Sequence, residues 1–392
     1  MNHLKLLHTS DWHLGQKFMG KSRQLEHKSF LDFLLKTIQE KEIDILLVCG
    51  DIFDTITPPN YALNLYYDFL HNLSKNTDIK QVIITAGNHD LSASLIAPKK
   101  LLSLINVSVI AKGDDIDEEI IQIKDTNNSL IGVVCAVPYL RDSVLRKSIS
   151  QESYEDKNLA LINGIKDHYN DTLQKAKKIS TKVPIITTGH LTITGTTRSD
   201  SEREIFIGGL STLESSIISD QFDYVALGHI HISQKISDKI YYSGSPIQLS
   251  FSEHKRKSIR FVEFKDKNLS VEKIYIPIIR DLKRIKCNLE NIESQLKKIG
   301  SKELKTWVEL EIKSEQKSEF INQRVLEITK DLNIEVLAIR YPHSTHKIFA
   351  EQNLALELLK PIDVFRKKLE LSGVEDEELI VSFNEILNEI QL

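Results

Sequence analysis

Seven residues of this sequence carry the side chains of a divalent-metal site: Asp11, His13, Asp51, Asn88, His190, His229 and His231. Together they offer two carboxylates, one amide oxygen and four imidazoles, more than one divalent ion takes from protein side chains. The set suits two ions sharing a carboxylate, with Asp51 as the natural bridge. Mixed nitrogen and oxygen ligation favours manganese, iron or zinc over calcium or magnesium. Two ions roughly 3.5–4 Å apart activate a water and stabilise both ends of an in-line displacement at phosphorus. The chemistry expected is hydrolysis of a phosphate ester.

These residues fall in five short motifs: Asp11-Trp12-His13, Gly50-Asp51-Ile52-Phe53-Asp54, Gly87-Asn88-His89-Asp90, Gly189-His190 and Gly228-His229-Ile230-His231. Singly, a D-x-H or a G-H is explained as well by a turn aspartate or a surface histidine. Five of them, each following a predicted buried strand, make coincidence a poor account. Sites in open α/β sheets form at the carboxyl ends of strands, where loops distant in sequence converge. Four motifs have a glycine beside the ligand, which permits tight turns and close backbone approach. His229 and His231 are two apart, so an extended backbone would place both on one face.

The elements that must position these motifs are legible in the hydrophobic pattern. Apolar runs predict strands over 4–9, 45–49, 81–86, 130–137, 184–188, 222–227, 240–243, 258–264 and 269–276. Helical spacing appears over 26–41, 59–73, 98–104 and 156–179. Strand–loop–helix units come first and β-hairpins later, which argues for an α/β sandwich with mixed sheets. The pattern changes near 278. Lys-rich helical stretches and strands over 307–312 and 333–341 then predict a small α+β domain at 279–345. The amphipathic run 378–390 predicts C-terminal helices within 346–392.

Composition sets outer bounds. With 392 residues, 41% hydrophobic and 27% charged, the chain is an ordinary globular one, with one large domain plus something smaller, or two to three domains. The formal net charge of -4 gives no support to nucleic-acid binding through bulk charge. The scattered Cys49, Cys135 and Cys287 fit buried reduced thiols of a cytoplasmic protein better than a disulfide framework. Neither a secretory signal nor a membrane span is expected. The sequence holds no G-x-x-x-x-G-K-[ST] loop, so ATP hydrolysis would belong to a partner.

The ordered set D-x-H, G-D-x-x-D, G-N-H-D, G-H and G-H-x-H resembles the calcineurin-like metallophosphoesterase superfamily. The segments LHTSDWHLGQ, VCGDIFDT, AGNHD, LGHIH and YYSGSPIQLSFSE are similar to the bacterial SbcD family within it, densely over 3–255. The resemblance implies an α/β fold: a sandwich of two mixed β-sheets flanked by helices over 1–278, a capping domain over 279–345 that touches DNA, and C-terminal helices over 346–392 that dock on an SbcC-type ATPase. It implies that Asp11, His13, Asp51 and His231 hold one ion and Asp51, Asn88, His190 and His229 the other, most often manganese. His89 would act beside the scissile phosphate, with Asp90 orienting its ring. Asp54 stands where archaeal and eukaryotic relatives carry histidine, and would tune the metal-bound water or cap its loop. The activity implied is DNA cleavage (double-strand exonuclease, single-strand endonuclease, hairpin opening) by a homodimer within a heterotetramer. A small-molecule phosphodiesterase is the competing reading. A phosphoprotein phosphatase would carry Arg-Gly after the second motif and Glu after Asn-His, where this chain has Thr55-Ile56 and Asp90. Lys17, Lys21 and Arg23 follow the first motif and are candidate DNA-backbone contacts, as are Lys283, Arg284, Lys286, Lys297, Lys298, Lys302 and Lys305 in the capping domain. The Tyr61, Leu65, Tyr66 and Phe69 stripe is a core face or, by resemblance, a dimer interface.

Overall fold

The computed structural model describes residues 3–145, 154–202, 211–253, 256–299, 304–313 and 318–341, with Phe365, Leu369, Leu379 and Phe383. Two six-stranded mixed sheets dominate it. The first orders its strands Asn268–Tyr275, Ser258–Lys265, His3–Thr9, Ile45–Cys49, Gln81–Thr85 and Val107–Ile110. The last four run parallel, and Ser258–Lys265 pairs antiparallel with both neighbours. The second orders Gln234–Lys235, Ile240–Tyr242, Tyr224–Gly228, Ile185–His190, Leu130–Cys135 and Ile120–Lys124, parallel inside and antiparallel at both edges.

The two-residue period of the strands divides the apolar residues between two layers. Leu4, Leu6, Ile45, Leu47 and Cys49 meet Ile186, Tyr224 and Ala226 of the other sheet in a shared interior. Leu7, Leu46 and Val48 face outward against helices Gln24–Lys41 and Asn60–Asn76, where Tyr66 and Phe69 are core residues. The aromatic stripe therefore packs on its own sheet. On the far side Val133, Ile185 and Val225 receive Leu161, Ile165, Tyr169 and Leu173 of helix Tyr154–Ile179.

Strands Leu282–Asn288, Thr306–Lys313 and Ile334–Arg340 form a third, parallel sheet, with helices Ile292–Lys297 and Ser318–Thr329 as its connections. The pattern of Leu282–Asn288 hid a strand within what looked helical. Part of its basic set is neutralised locally, while Lys298 and Lys305 lie exposed. Arg284 and Arg340 share the buried Glu309, Lys286 lies 3.3 Å from Glu311, and Lys297 lies 2.6 Å from Glu293. Lys302 lies outside the described residues. Contacts divide the chain into units Met1–Arg340 and Tyr341–Leu392. In the second unit Phe365 and Phe383 stack at 4.0 Å. The helices expected over 346–392 otherwise lie outside the described residues. Among the described residues no helix is long and apolar enough to cross a membrane, and all three cysteines are buried and free.

Two histidines outside the motifs tie stability to pH. His8 lies between the sheets, with Nδ1 2.9 Å from the Tyr224 hydroxyl and Nε2 3.1 Å from the Leu227 carbonyl. His27 is a fully buried residue of the first helix, Gln24–Lys41. Burial, reinforced by Arg260 at His8 and Arg23 at His27, lowers each ring from 6.5 to about 3. The unfolded chain protonates both rings as pH falls through 6.5, while the folded chain resists until about 3. Their stabilising effect is therefore complete at neutral pH and shrinks on the acid side of 6.5. At about 1.4 kcal/mol per pH unit for each ring, the loss between pH 7 and pH 5 is about 4 kcal/mol. Urea unfolding of His27→Gln across that range is expected to show a visibly shallower acid loss than wild type, and an unchanged slope would refute this account.

Candidate metal centre

The site forms where the strands of both sheets end. His3–Thr9 leads into Asp11 and His13, Ile45–Cys49 into Asp51, and Gln81–Thr85 into Asn88 and His89. His190 is the last residue of Ile185–His190, and His229 follows Tyr224–Gly228. Backbone bonds splice the first two loops together, from Asp11 N to Gly50 O at 3.0 Å, His13 N to Asp51 O at 3.0 Å and Leu14 N to Ile52 O at 2.9 Å. Between Asp11 and His13, Trp12 turns the other way. Its indole packs edge-on against Phe30 and Phe69 and donates to Thr9 Oγ1, anchoring the loop in the core.

Four of the seven predicted ligands adopt left-handed backbone: Asp11 at φ 53°, His13 at 45°, Asp51 at 52° and His229 at 89°. Such strain on residues with a Cβ persists only where the surroundings impose it, and it concentrates at functional sites. Gly50 turns at φ 84°, and a Cβ there would lie 2.1 Å from His190 Nδ1.

All seven predicted ligands converge. Asp11, His13 and His231 form one buried cluster, and Asp51, His190 and His229 another, with donor atoms in each within 4.8 Å of one another. Asp51 lies between them. Its Oδ2 is 3.6 Å from His13 Nε2 and 3.3 Å from His190 Nε2, while its Oδ1 accepts from His89 N at 2.9 Å. Asn88 Oδ1 is 3.0 Å from His190 Nε2. His229 and His231 do not share a face as an extended segment would require. The left-handed turn at His229 sends one ring to each cluster.

The residues fit divalent ions. His13 Nε2 is buried with no hydrogen-bond partner, while Nδ1 of the same ring lies 3.2 Å from Asp54 Oδ1. His190 Nδ1 is likewise engaged, 3.1 Å from the Cys49 carbonyl. Rings held by Nδ1 present Nε2 to the clusters, the arrangement that outer carboxylates and carbonyls impose on ligating histidines. The electrostatics make the same demand. Burial would lower His190, but Asp51 prevails and raises it to about 9. Although burial opposes it, His190 in turn holds the Asp51 carboxyl well below the usual range. Burial, then the neighbouring His190, pushes His229 well down. The carboxylates thus draw positive charge into a dry site, and a divalent ion satisfies that demand by displacing the proton.

Two expectations need correction. Asp90 does not orient the His89 ring. Its carboxylate accepts from the backbone of Ile52 (3.2 Å), Phe53 (3.1 Å) and Gly87 (2.9 Å), clamping the second and third motif loops together. Burial, then Asp51, raises this acid to about 6. The His89 ring is oriented instead by the Asp54 carbonyl, 2.8 Å from Nδ1. Asp54 therefore serves two histidines, with its carboxylate on His13 and its carbonyl on His89. Arg23 is not a DNA contact. Only 2% exposed, it pairs with Glu26 at 3.0 Å, donates to the Gln248 carbonyl and lies over the Trp307 ring. Lys17 and Lys21 sit on a short exposed hairpin, with Lys21 paired to Glu335 at 2.7 Å. Two residues that sequence pattern does not single out join the site. Arg141 donates to the Asp90 carbonyl at 3.1 Å, and Ser10 donates to Asp11 Oδ2 at 2.6 Å. Neither position carries a sequence signal of its own.

The calcineurin-like phosphoesterase family model matches residues 4–233, a span that holds all seven candidate ligands. The chain belongs to that family. Within it, the chain is a member of the SbcD group. It is 34% identical over 385 residues to the SbcD component of nuclease SbcCD from Escherichia coli K12, covering 96% of this chain and 95% of that protein. The same-named protein of Rhodobacter capsulatus is 33% identical over 258 residues, 64% of each chain. That of Bacillus subtilis is 28% identical over 410 residues, 99% of each. A second model, the type 5 capsule protein repressor C-terminal domain, matches 279–372 and so takes in the third sheet. The two mixed sheets flanked by helices are the sandwich expected of a calcineurin-like phosphoesterase.

Proposed function

We propose that this chain is the metal-dependent nuclease subunit of an SbcCD-type complex and hydrolyses DNA phosphodiester bonds with two divalent ions. The observation that carries the proposal is the placement of Asp51 Oδ2 between two Asp/His clusters, in a chain aligned along almost its whole length with nuclease subunits. When bound, the ions supply Lewis acidity and an activated water at phosphorus; the mixed nitrogen and oxygen donor set suits manganese, iron or zinc, and the family resemblance favours manganese among them. Asp11, His13, Asp51 and His231 would hold one ion, and Asp51, Asn88, His190 and His229 the other.

In the reaction, water adds to phosphorus, one P–O ester bond breaks and the departing oxygen takes a proton. His89 is the group assigned to that oxygen or to the charge developing on phosphate. Its ring centroid is 4.8 Å from that of His13, and Nδ1 must be the donor toward the Asp54 carbonyl, since a carbonyl only accepts. Asp54 and Asp90 position, respectively, the His89 ring and the loop that carries it. The exposed Lys17 is the remaining candidate of its segment for contact with the DNA backbone. The partner assigned is an SbcC-type ATPase bound by a nuclease homodimer. Exonuclease, endonuclease and hairpin-opening activities follow from the family, in a cytoplasmic setting.

The test is cleavage of a labelled DNA hairpin with manganese, by wild type and His89→Ala side by side. Loss of general acid–base help costs about 10²–10⁴-fold, so the variant is expected to fall by that factor with unchanged manganese content. No cleavage by wild type, even with an SbcC-type partner and ATP, would shift the assignment to a small-molecule phosphodiesterase.

A further inference from the structure

Behind His231 lies a buried ionic group that the ligand set does not explain. The Glu253 side chain is completely buried, and its carboxylate pairs with the nearly buried Lys257 ammonium. Burying two charges is costly, and well-packed apolar residues often serve a core equally well. The hydrogen bonds around this pair indicate what it does. Lys257 Nζ donates to the His231 carbonyl at 2.9 Å and to Ser245 Oγ at 2.7 Å. Glu253 Oε2 accepts from Leu249 N at 3.1 Å, which fixes the carboxylate plane. Its other oxygen, Oε1, accepts from the Ser201 hydroxyl. Ser201 Oγ lies 2.6 Å from His231 Nδ1.

We propose that Glu253 is a positioning residue for His231, acting through Ser201. A carboxylate paired with an ammonium only accepts, so the single Ser201 proton is committed to Glu253. The hydroxyl oxygen must then accept from His231 Nδ1–H. That fixes the tautomer whose Nε2 lone pair faces Asp11 and His13. Lys257 holds the same residue from behind through its backbone carbonyl, so ring and backbone are both tied to one buried charge pair. The relay does for His231 what the Asp54 carboxylate does directly for His13 and the Cys49 carbonyl for His190. Glu253 closes the YYSGSPIQLSFSE segment, and this role gives that glutamate a physical purpose. Ser201 lies 52 residues upstream.

This inference rests on the two-ion reading, and the experiment separates the two. Full-length metal-free protein is titrated with manganese by calorimetry, with Mn(II) paramagnetic resonance as a second readout and melting temperature in chelator as a control. Wild type is expected to take up two ions, and failure to do so would overturn the two-ion reading and this inference with it. Ser201→Ala leaves the Glu253–Lys257 pair intact, so it should melt like wild type yet bind one of the two ions about 10–100-fold more weakly, as outer-shell losses do. Ser201→Thr, which keeps the hydroxyl, should bind like wild type. Glu253→Gln alone strands the Lys257 charge and is prone to unfolding. The double variant Glu253→Gln/Lys257→Met removes both charges and should recover the fold without recovering that affinity. If Ser201→Ala or the folded double variant binds both ions as tightly as wild type, Glu253 is merely the counter-ion of Lys257 and the proposal fails.

Discussion

The Asp51→Asn protein is expected to fold and to lose DNA cleavage altogether. Asparagine has the shape of aspartate and keeps an oxygen for His89 N, so the loop geometry survives. It cannot keep the negative charge between His13 and His190. Both clusters lose their common ligand, and His190 loses the main influence raising its pKa. Removing one preorganised transition-state donor costs about 10²–10³-fold in other enzymes. Loss of a ligand shared by both ions should exceed that, to beyond about 10³-fold. The melting temperature in chelator should stay within about 5 °C of wild type. The rise in melting temperature on adding manganese, which reflects binding to the folded state, should be largely abolished. Substantial metal-dependent cleavage by this variant would sink the two-ion assignment.

Gly228→Ala is expected to be the most damaging glycine-to-alanine change among the described residues. Gly228 pairs with His190 across the second sheet, and a Cβ there would lie 1.8 Å from the Cys49 carbonyl oxygen of the first sheet. The obstacle is backbone in a fully buried strand, so no side chain can swing aside. The same carbonyl lies 3.1 Å from His190 Nδ1, and the added methyl would also crowd that ring at 2.9 Å. The sheets must part where the ligands converge. Overpacking costs about 1–3 kcal/mol and occasionally more. At the upper end this corresponds to a fall of roughly 4 °C in a protein of this size, with manganese affinity falling in parallel. Gly195→Ala is the comparison, since a Cβ there meets nothing within 4 Å and its cost is confined to backbone strain at φ 87°. Equal losses for the two variants would show that close approach of the sheets is not what Gly228 protects.

The sequence by itself determined the candidate ligands and the strands that carry them. Asp11, Asp51, Asn88, His190 and His229 each follow or end a run of buried apolar residues, and such runs are visible because burial on both faces leaves them without polar positions. Helix Asn60–Asn76 was legible from Pro59 at its start and from its apolar stripe. Other features depended on partners that spacing does not show. Arg23 resembles a solvated loop cation until Glu26, Gln248 and Trp307 enclose it, the last 284 residues away by position number. Arg284 looked like part of a basic face, but it shares the buried Glu309 with Arg340 from another strand. Asp90 sits beside His89 in sequence, yet its carboxylate goes to the backbone of Ile52 and Phe53. His229 and His231 separate because the backbone turns left-handed at His229, an uncommon choice for a residue with a Cβ that the spacing does not reveal. Local pattern reports which residues must be buried and which can ligate. Only the folded chain decides which oxygen or ring faces each of them, because those contacts are made across hundreds of residues by packing two sheets together.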